Sequence, residues 1–481
     1  MKRNHSKKAL AIILSALLTV SLAACNNSQN GSPTESATTA QTEAVTEAAT
    51  QTATEAAKAT AALSESDITI TDTVENTADS EHAITADGES ASYKNTKVTK
   101  TGDSDSGDEA DFYGDNAAIF ATNGATLDLS EMVIKTDGTH ANAVFSYGEG
   151  TTVNISDSYI ETSGNCSGGL MTTGGGTMNA SNLTINTSGN SSAAIRSDRG
   201  GGTVNVDGGS YTTSGTGSPV IYSTADITVS NADLTSTASQ GVVVEGKNSV
   251  TLKNVTLNAD NNTKNSDKSE WYQAVMIYQS MSGDAAEGLS SFTMEGGTLT
   301  NENGDVFFVN NTATEICLTG ATIVNNDTEG YFLRAAAAGW GSEGSNGGQV
   351  SLYASQQTID GDMIVDDVSH LNLYLSDSST FNGAINSDGA AGDVYVEITD
   401  GSKWVLSGDS YITSLTCDAD SIDLNGHKLY INGVEYSAGT SSTGSAIAVV
   451  STGGSGGAPD KPGEGGGHGG EGGTPPAKPG N

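Results

Sequence analysis

An eleven-residue frame recurs along this chain, and it restricts the fold more than any other feature. It is clearest in Thr152–Thr162, Thr177–Thr187 and Thr203–Thr213, each beginning and ending in threonine. Apolar residues fill the second position (Val153, Met178, Val204) and the fourth (Ile155, Ala180, Val206). The sixth is a turn-former (Asp157, Asn182, Gly208), and the ninth is apolar again (Ile160, Ile185, Tyr211). The same frame starts at Thr126, Asp226, Ser249, Ser291 and Glu315. Over the eight copies the sixth position is Glu131, Asp157, Asn182, Gly208, Asn231, Asn254, Gly296 and Gly320. All but Glu131 are residues that tolerate positive φ. Alternation at positions two and four is the period-2 mark of a half-buried strand. Each frame therefore reads as strand, one-residue corner, strand.

A further apolar run precedes each frame, as in Ala143-Val144-Phe145, Gly169-Leu170-Met171, Ala194-Ile195-Arg196 and Val220-Ile221-Tyr222. It supplies a third strand. Successive frames are 26, 25, 26, 23, 23, 42 and 24 residues apart. Three short strands in about two dozen residues make one coil of a parallel β-helix, whose coils bury their apolar faces only by stacking. A β-sandwich gives no reason for a fixed frame, and the leucine-asparagine signature of leucine-rich repeats is missing. The expected fold is all-β: a single-stranded right-handed parallel β-helix of about eleven coils. The hand follows from the general rule for parallel crossovers.

The formal net charge of −38, with only 20 basic residues among 481, argues against nucleic acid and polyanionic ligands. It favours divalent cations or neutral partners. Cys25, Cys166, Cys317 and Cys417 include no Cys-x-x-Cys pair, so neither a zinc site nor a disulfide framework is expected. The last three read as isolated small residues in or near the stack. None of the six histidines falls in a repeated or clustered position.

Residues 1–24 read as an export signal, with Lys2, Arg3, Lys7 and Lys8 ahead of a short apolar run. It ends in Leu22-Ala23-Ala24-Cys25, which resembles the lipobox of bacterial lipoproteins. The resemblance implies that Cys25 becomes the first mature residue and carries a diacylglyceryl group. The competing reading is an ordinary cleaved signal with an incidental cysteine. Two acyl chains would anchor the protein stably at the extracellular face of the membrane. Residues 25–65, rich in Thr, Ala, Glu and Ser, form a disordered linker. The β-helix domain is expected over 66–438, with a degenerate first frame at Ala91, Tyr93, Asn95 and Val98. Residues 439–481 turn to Gly, Pro and Ser and read as a flexible tail. The frames loosen after Gln349 into last coils and a cap, which an open β-helix end requires.

Several stretches, "SSAAIRSDRGGGTVNVDGG", "GSPVIYSTADITVSNADLTST" and "GWGSEGSNGG" among them, resemble a family of exported bacterial β-helix proteins. The resemblance covers roughly residues 90–435. More distantly the chain is similar to the calcium-associated, carbohydrate-binding β-helix proteins of cellulose-degrading clostridia, and in architecture to pectate lyases and adhesins. No catalytic residues carry over, and fold analogy says little about function by itself.

Three sets of residues carry candidate chemistry. The acidic loop Gly102–Asn116 offers Asp103, Asp105, Asp108 and Asp111 to calcium, although its spacing is not that of an EF-hand; a merely solvated loop is the alternative. Phe120, Phe145, Met171, Arg196 and Tyr222 hold one slot in consecutive coils, which alternation turns outward. Flat groups beside a guanidinium suit sugar rings. This expected ladder, with Arg199 at the corner beyond Arg196, is the candidate glycan-binding face, unless a flanking segment covers it. Arg196-Ser197-Asp198-Arg199 is the nearest approach to a catalytic group, yet one arginine beside one aspartate reads as a surface ion pair. Polar insertions at 258–271, 279–290 and 335–348 mark loops on one face, often the binding face of a solenoid. The expected function is non-catalytic: a lipid-anchored surface monomer binding glycan or a host or cell-surface ligand, without nucleic acid. A calcium-dependent polysaccharide lyase or hydrolase is the first alternative, and a passive stalk the second.

Overall fold

The computed structural model describes residues 62–449, apart from 265, 267 and 390. The expected signal peptide, Cys25, the linker up to residue 61 and the tail from residue 450 lie outside the described residues. The chain is a parallel β-helix: 49% of the described residues are strand and 2% helical, so strands supply most of the core. Frame starts lie over one another in register: Thr126 on Thr152, Thr152 on Thr177, Thr177 on Thr203, Thr203 on Asp226, and onward through Ser249 and Ser291 to Glu315. The ninth positions stack equally, from Ile134 through Ile160, Ile185, Tyr211, Leu234, Leu257 and Leu299 to Ile323. Both strands of the frame belong to one 21-stranded sheet, and the preceding apolar runs form an eleven-stranded parallel sheet from Ile84–Asp87 to Met363–Val365.

All eight corner residues have positive φ, from 48° at Asp157 to 73° at Gly208. Glu131, the one unexpected type, also adopts φ 52°. Its carboxylate accepts a hydrogen bond from Asn95 one coil below and pairs with Lys94, both partners favouring its charge at the corner. The second, fourth and ninth positions feed one continuous buried cluster running the length of the stack. This is the dry column that makes each coil depend on its neighbours.

A second ladder lies just past the frames. Gly138, Gly164, Gly189 and Gly215 stack so closely that a Cβ on each would strike the carbonyl of Gly102, Gly138, Gly164 and Gly189 respectively. Three residues on, Ser167, Ser192 and Ser218 accept the N–H of Ala141, Ser167 and Ser192 at 2.9 Å. Their hydroxyls donate to the carbonyls of Gly138, Gly164 and Gly189. Two residues after each glycine sits one left-handed residue: His140, Cys166, Ser191 and Gly217 in turn. These turns fix the direction in which the eleven-stranded sheet begins.

Two boundaries differ from expectation. At the start, Glu65 pairs with both Lys97 and Lys135, so the ordered domain takes in residues assigned to the linker. At the end, residues 440–447 lie on the last coils instead of forming a loose tail. Ser442 bridges Cys417, Gly444 and Ser445 donate to Thr416 and Ser414, and Asn372 makes paired bonds with the backbone of Ile447. Glycine- and serine-rich chain buries no core, but its backbone groups still bond to side chains that face them.

Candidate functional site

The outward slot of the eleven-stranded sheet forms the ladder that alternation requires. Phe120 pairs with Phe145, Phe145 with Met171, Met171 with Arg196 and Arg196 with Tyr222, and the column continues through Val243, Met276 and Phe308 to Arg334. It is not an open face. A short helix, α1 (Asp108–Tyr113), formed by the acidic loop, lies across its first coils. Thr173 donates to the carbonyl of Phe112 at 2.7 Å, and Tyr113 meets Tyr147 edge-on. Phe120, Phe145 and Met171 are buried in a small apolar cluster, Phe145 with no exposed surface. The expectation that Phe120 and Phe145 stack on sugar is therefore corrected: they hold the cover down. At the far end Val243, Met276 and Phe308 pack with Trp271 and Trp340 from the predicted insertions.

Between these covers Arg196 and Tyr222, both mostly buried, line a cleft of about 280 Å³ together with Phe112, Asp198, Tyr278 and Asp284. A smaller recess of about 100 Å³ shares Pro219, Tyr222 and Tyr278 with it and continues past Gln240 and Lys264 to Trp340. Of the expected binding residues, Arg196 and Tyr222 line the cleft, Arg199 lies behind two of its walls, Phe112 and Asp284, and the two phenylalanines are removed. The four residues of the expected calcium set differ in exposure. Asp103, Asp105 and Asp108 are exposed, whereas Asp111 faces inward and is buried. Asp103 is used to hold the backbone N–H of Thr139. Forming α1 turns Asp111 under the helix, away from the exposed acids of the loop.

Nor is Arg196 a surface ion-pair residue. One nitrogen, Nη2, donates to Asp111 at 3.1 Å and to Asp198 at 2.9 Å, and all three side chains are largely buried. Asp111 also accepts from Asn142 at 3.3 Å and lies 3.1 Å from Nδ1 of His140. Burial opposes its charge, but Arg196, His140 and Asn142 together hold its carboxyl below the usual range. Asp198 shares Arg196 but has neither His140 nor Asn142 beside it. Burial, reinforced by the charge of Asp111, pushes it up to about 6 against the pull of Arg196. Beside them Arg199 binds Asp284 at 2.6 Å and lies 3.8 Å over the ring of Phe112, tying α1 to the 279–290 insertion. On the other wall Glu245 accepts from the phenols of both Tyr222 and Tyr278, and burial raises its carboxyl above the ordinary range.

Asp111 as the partner of Arg196, together with His140, Glu245, Tyr278 and Asp284, escaped sequence reasoning. Tyr278 and Glu245 could have been reached from the register, since both lie on outward strand positions. His140 was signalled by the glycine turns: Thr136-Asp137-Gly138-Thr139-His140 matches Thr162-Ser163-Gly164-Asn165-Cys166. Asp111 sits on the single α-helix among the described residues, outside the repeat, and no periodicity points to it. Among the described residues, Asp111, His140 and Cys166 also bring one potential ligand atom each to within 4.8 Å of one another. No protein-family model and no curated protein sequence matches the chain.

Proposed function

We propose that the protein is a non-catalytic carbohydrate-binding protein, held by a lipid on Cys25 at the extracellular face of the cell membrane, with neutral glycan as ligand. The observation that carries this reading is the cleft between the two covers. It offers the edges and faces of Phe112, Tyr222, Tyr278 and Trp340 beside the hydrogen-bonding groups of Asp198, Asp284, Gln240 and Lys264. Small-ligand sites combine apolar walls with a few placed polar groups in this way. Surplus acid lining the cleft, on a chain of net charge −38, disfavours acidic sugars.

Hydrolysis draws some support from Asp198, whose carboxyl is raised beside an ionised Asp111. A glycosidase needs its two carboxyls free to face opposite sides of the scissile bond. Here the guanidinium of Arg196 bonds to both and fills the space between them. That arrangement suits fixed polarity better than proton transfer. A calcium-dependent lyase would require Asp103, Asp105, Asp108 and Asp111 free for the cation, whereas Asp111 is buried and bonded to Arg196.

Titration calorimetry of neutral and acidic oligosaccharides against the full chain, with and without calcium, tests the proposal. Neutral sugars should bind saturably without calcium. Tyr222→Phe and Asp284→Asn should each weaken them by about tenfold, the loss of an anchoring contact. Binding indifferent to both substitutions would remove the cleft from consideration. Cut products would favour the hydrolase, and no saturable ligand the stalk.

A further inference from the structure

We propose that Asp111, His140 and Cys166 form a binding site for one divalent ion of zinc chemistry. Asp111 comes from α1. His140 and Cys166 come from two consecutive glycine turns, where each holds the left-handed position, at φ 57° and 54°. The N–H of His140 bonds to the carbonyl of Asn165 at 2.9 Å, so the turn bearing His140 lies directly on the turn bearing Cys166. A carboxylate oxygen, an imidazole nitrogen and a sulfur thereby lie within 4.8 Å of one another. Neighbouring donors round tetrahedral zinc sit roughly 3.3–3.7 Å apart. Nδ1 of His140 and Oδ1 of Asp111, 3.1 Å apart, are already near that spacing. Drawing in the sulfur takes a side-chain movement on the order of 1 Å.

The donor set selects the metal. Thiolate and imidazole suit zinc and disfavour calcium and magnesium, which take oxygen ligands. Three protein ligands leave a fourth position, the pattern of open zinc sites. Asp111 is held from outside by Arg196 and Asn142, as the carboxylate ligands of metal sites usually are. Arg196 would repel a lone dication. With metal bound, the charges of Asp111, Asp198 and a Cys166 thiolate match those of Arg196 and the ion. Cys166 is a free cysteine and only half-buried, which gives an ion a way in. The site does not depend on the carbohydrate reading.

Cobalt(II) serves as a coloured stand-in for zinc, with the full chain carrying Cys25→Ser so that only three cysteines remain. After treatment with a chelator, one equivalent of cobalt should produce a thiolate charge-transfer band in the near ultraviolet, and zinc should bleach it. Cys166→Ser should abolish the band and weaken zinc at least about tenfold, while Cys317→Ser should change neither. A second measurement needs no change at the site: zinc should protect Cys166 from alkylation, read by peptide mapping. Absence of the band, its survival in Cys166→Ser, or equal alkylation with and without zinc would each overturn the proposal.

Discussion

Asp198 is a buried residue whose charge changes within the ordinary pH range. Its carboxyl ionises near pH 3.8 in the unfolded chain and at about 6 in the folded one, because burial and the charge of Asp111 oppose its ionisation. Folding therefore holds its proton more tightly than unfolding does. The stability this contributes is complete below about pH 4 and is lost as pH rises through about 6. A shift of this size corresponds to about 3 kcal/mol. Asp198→Asn imitates the protonated carboxyl at every pH. In urea unfolding the variant should gain on the wild type by about 3 kcal/mol between pH 4 and pH 8. A difference that stays flat over that range would show that Asp198 remains ionised in the folded protein.

At the scale of the coil, two kinds of glycine separate two physical demands. Gly189 is needed for space, since a Cβ there would strike the carbonyl of Gly164. Gly208 is needed for its backbone angle, φ 73°, and a Cβ there meets nothing closer than 3.9 Å. Gly189→Ala should thus lose about 1–3 kcal/mol by forcing two coils apart. Gly208→Asn should change stability by only a few tenths of a kcal/mol, since asparagine enters the left-handed region readily. Guanidinium unfolding of the two variants distinguishes these outcomes, and equal losses would mean that space and angle are not separable here. The same contrast shows what the sequence could reveal. Register, corners and the inward column were legible because stacking repeats each demand every two dozen residues, so that Asn182, Gly208 and Asn231 announce one another. The outward face of the sheet was half legible. Alternation placed Phe145 and Arg196 in one column, but exposure depends on what lies above, and α1 occurs once. A helix of six residues is held by contacts such as Arg199 on Phe112, which link positions far apart in sequence. For the same reason Arg196 read as an ordinary surface charge: Asp111, one of its two acidic partners, stands 85 residues away.

For the molecule as a whole, a solenoid is only as secure as its ends, because an unpaired last coil has one neighbour where the others have two. The strand Val434–Glu435 closes the end by turning antiparallel to Leu429–Ile431. Residues 440–447 then run back over the outer face of the final coils, reaching Asn372 two rungs deeper in the sheet. The two bonds between the Asn372 amide and Ile447 join this segment to that deeper rung. Each is worth about 1 kcal/mol net. Asn372→Ala should therefore lower stability by about 1–2 kcal/mol. Removal of residues from 439 onward should do more, since the bonds to Ser414, Thr416 and Cys417 go as well. The loss should also be local. Hydrogen exchange should quicken at Ser414–Cys417 and Asp393–Ile398, while Thr152–Ser156, many coils away, keeps its protection, because in a stack each coil senses chiefly its neighbours. Faster exchange spread evenly from end to end would instead mean that the segment stabilises the β-helix as one cooperative body; no change anywhere would mean that the last coils close without it.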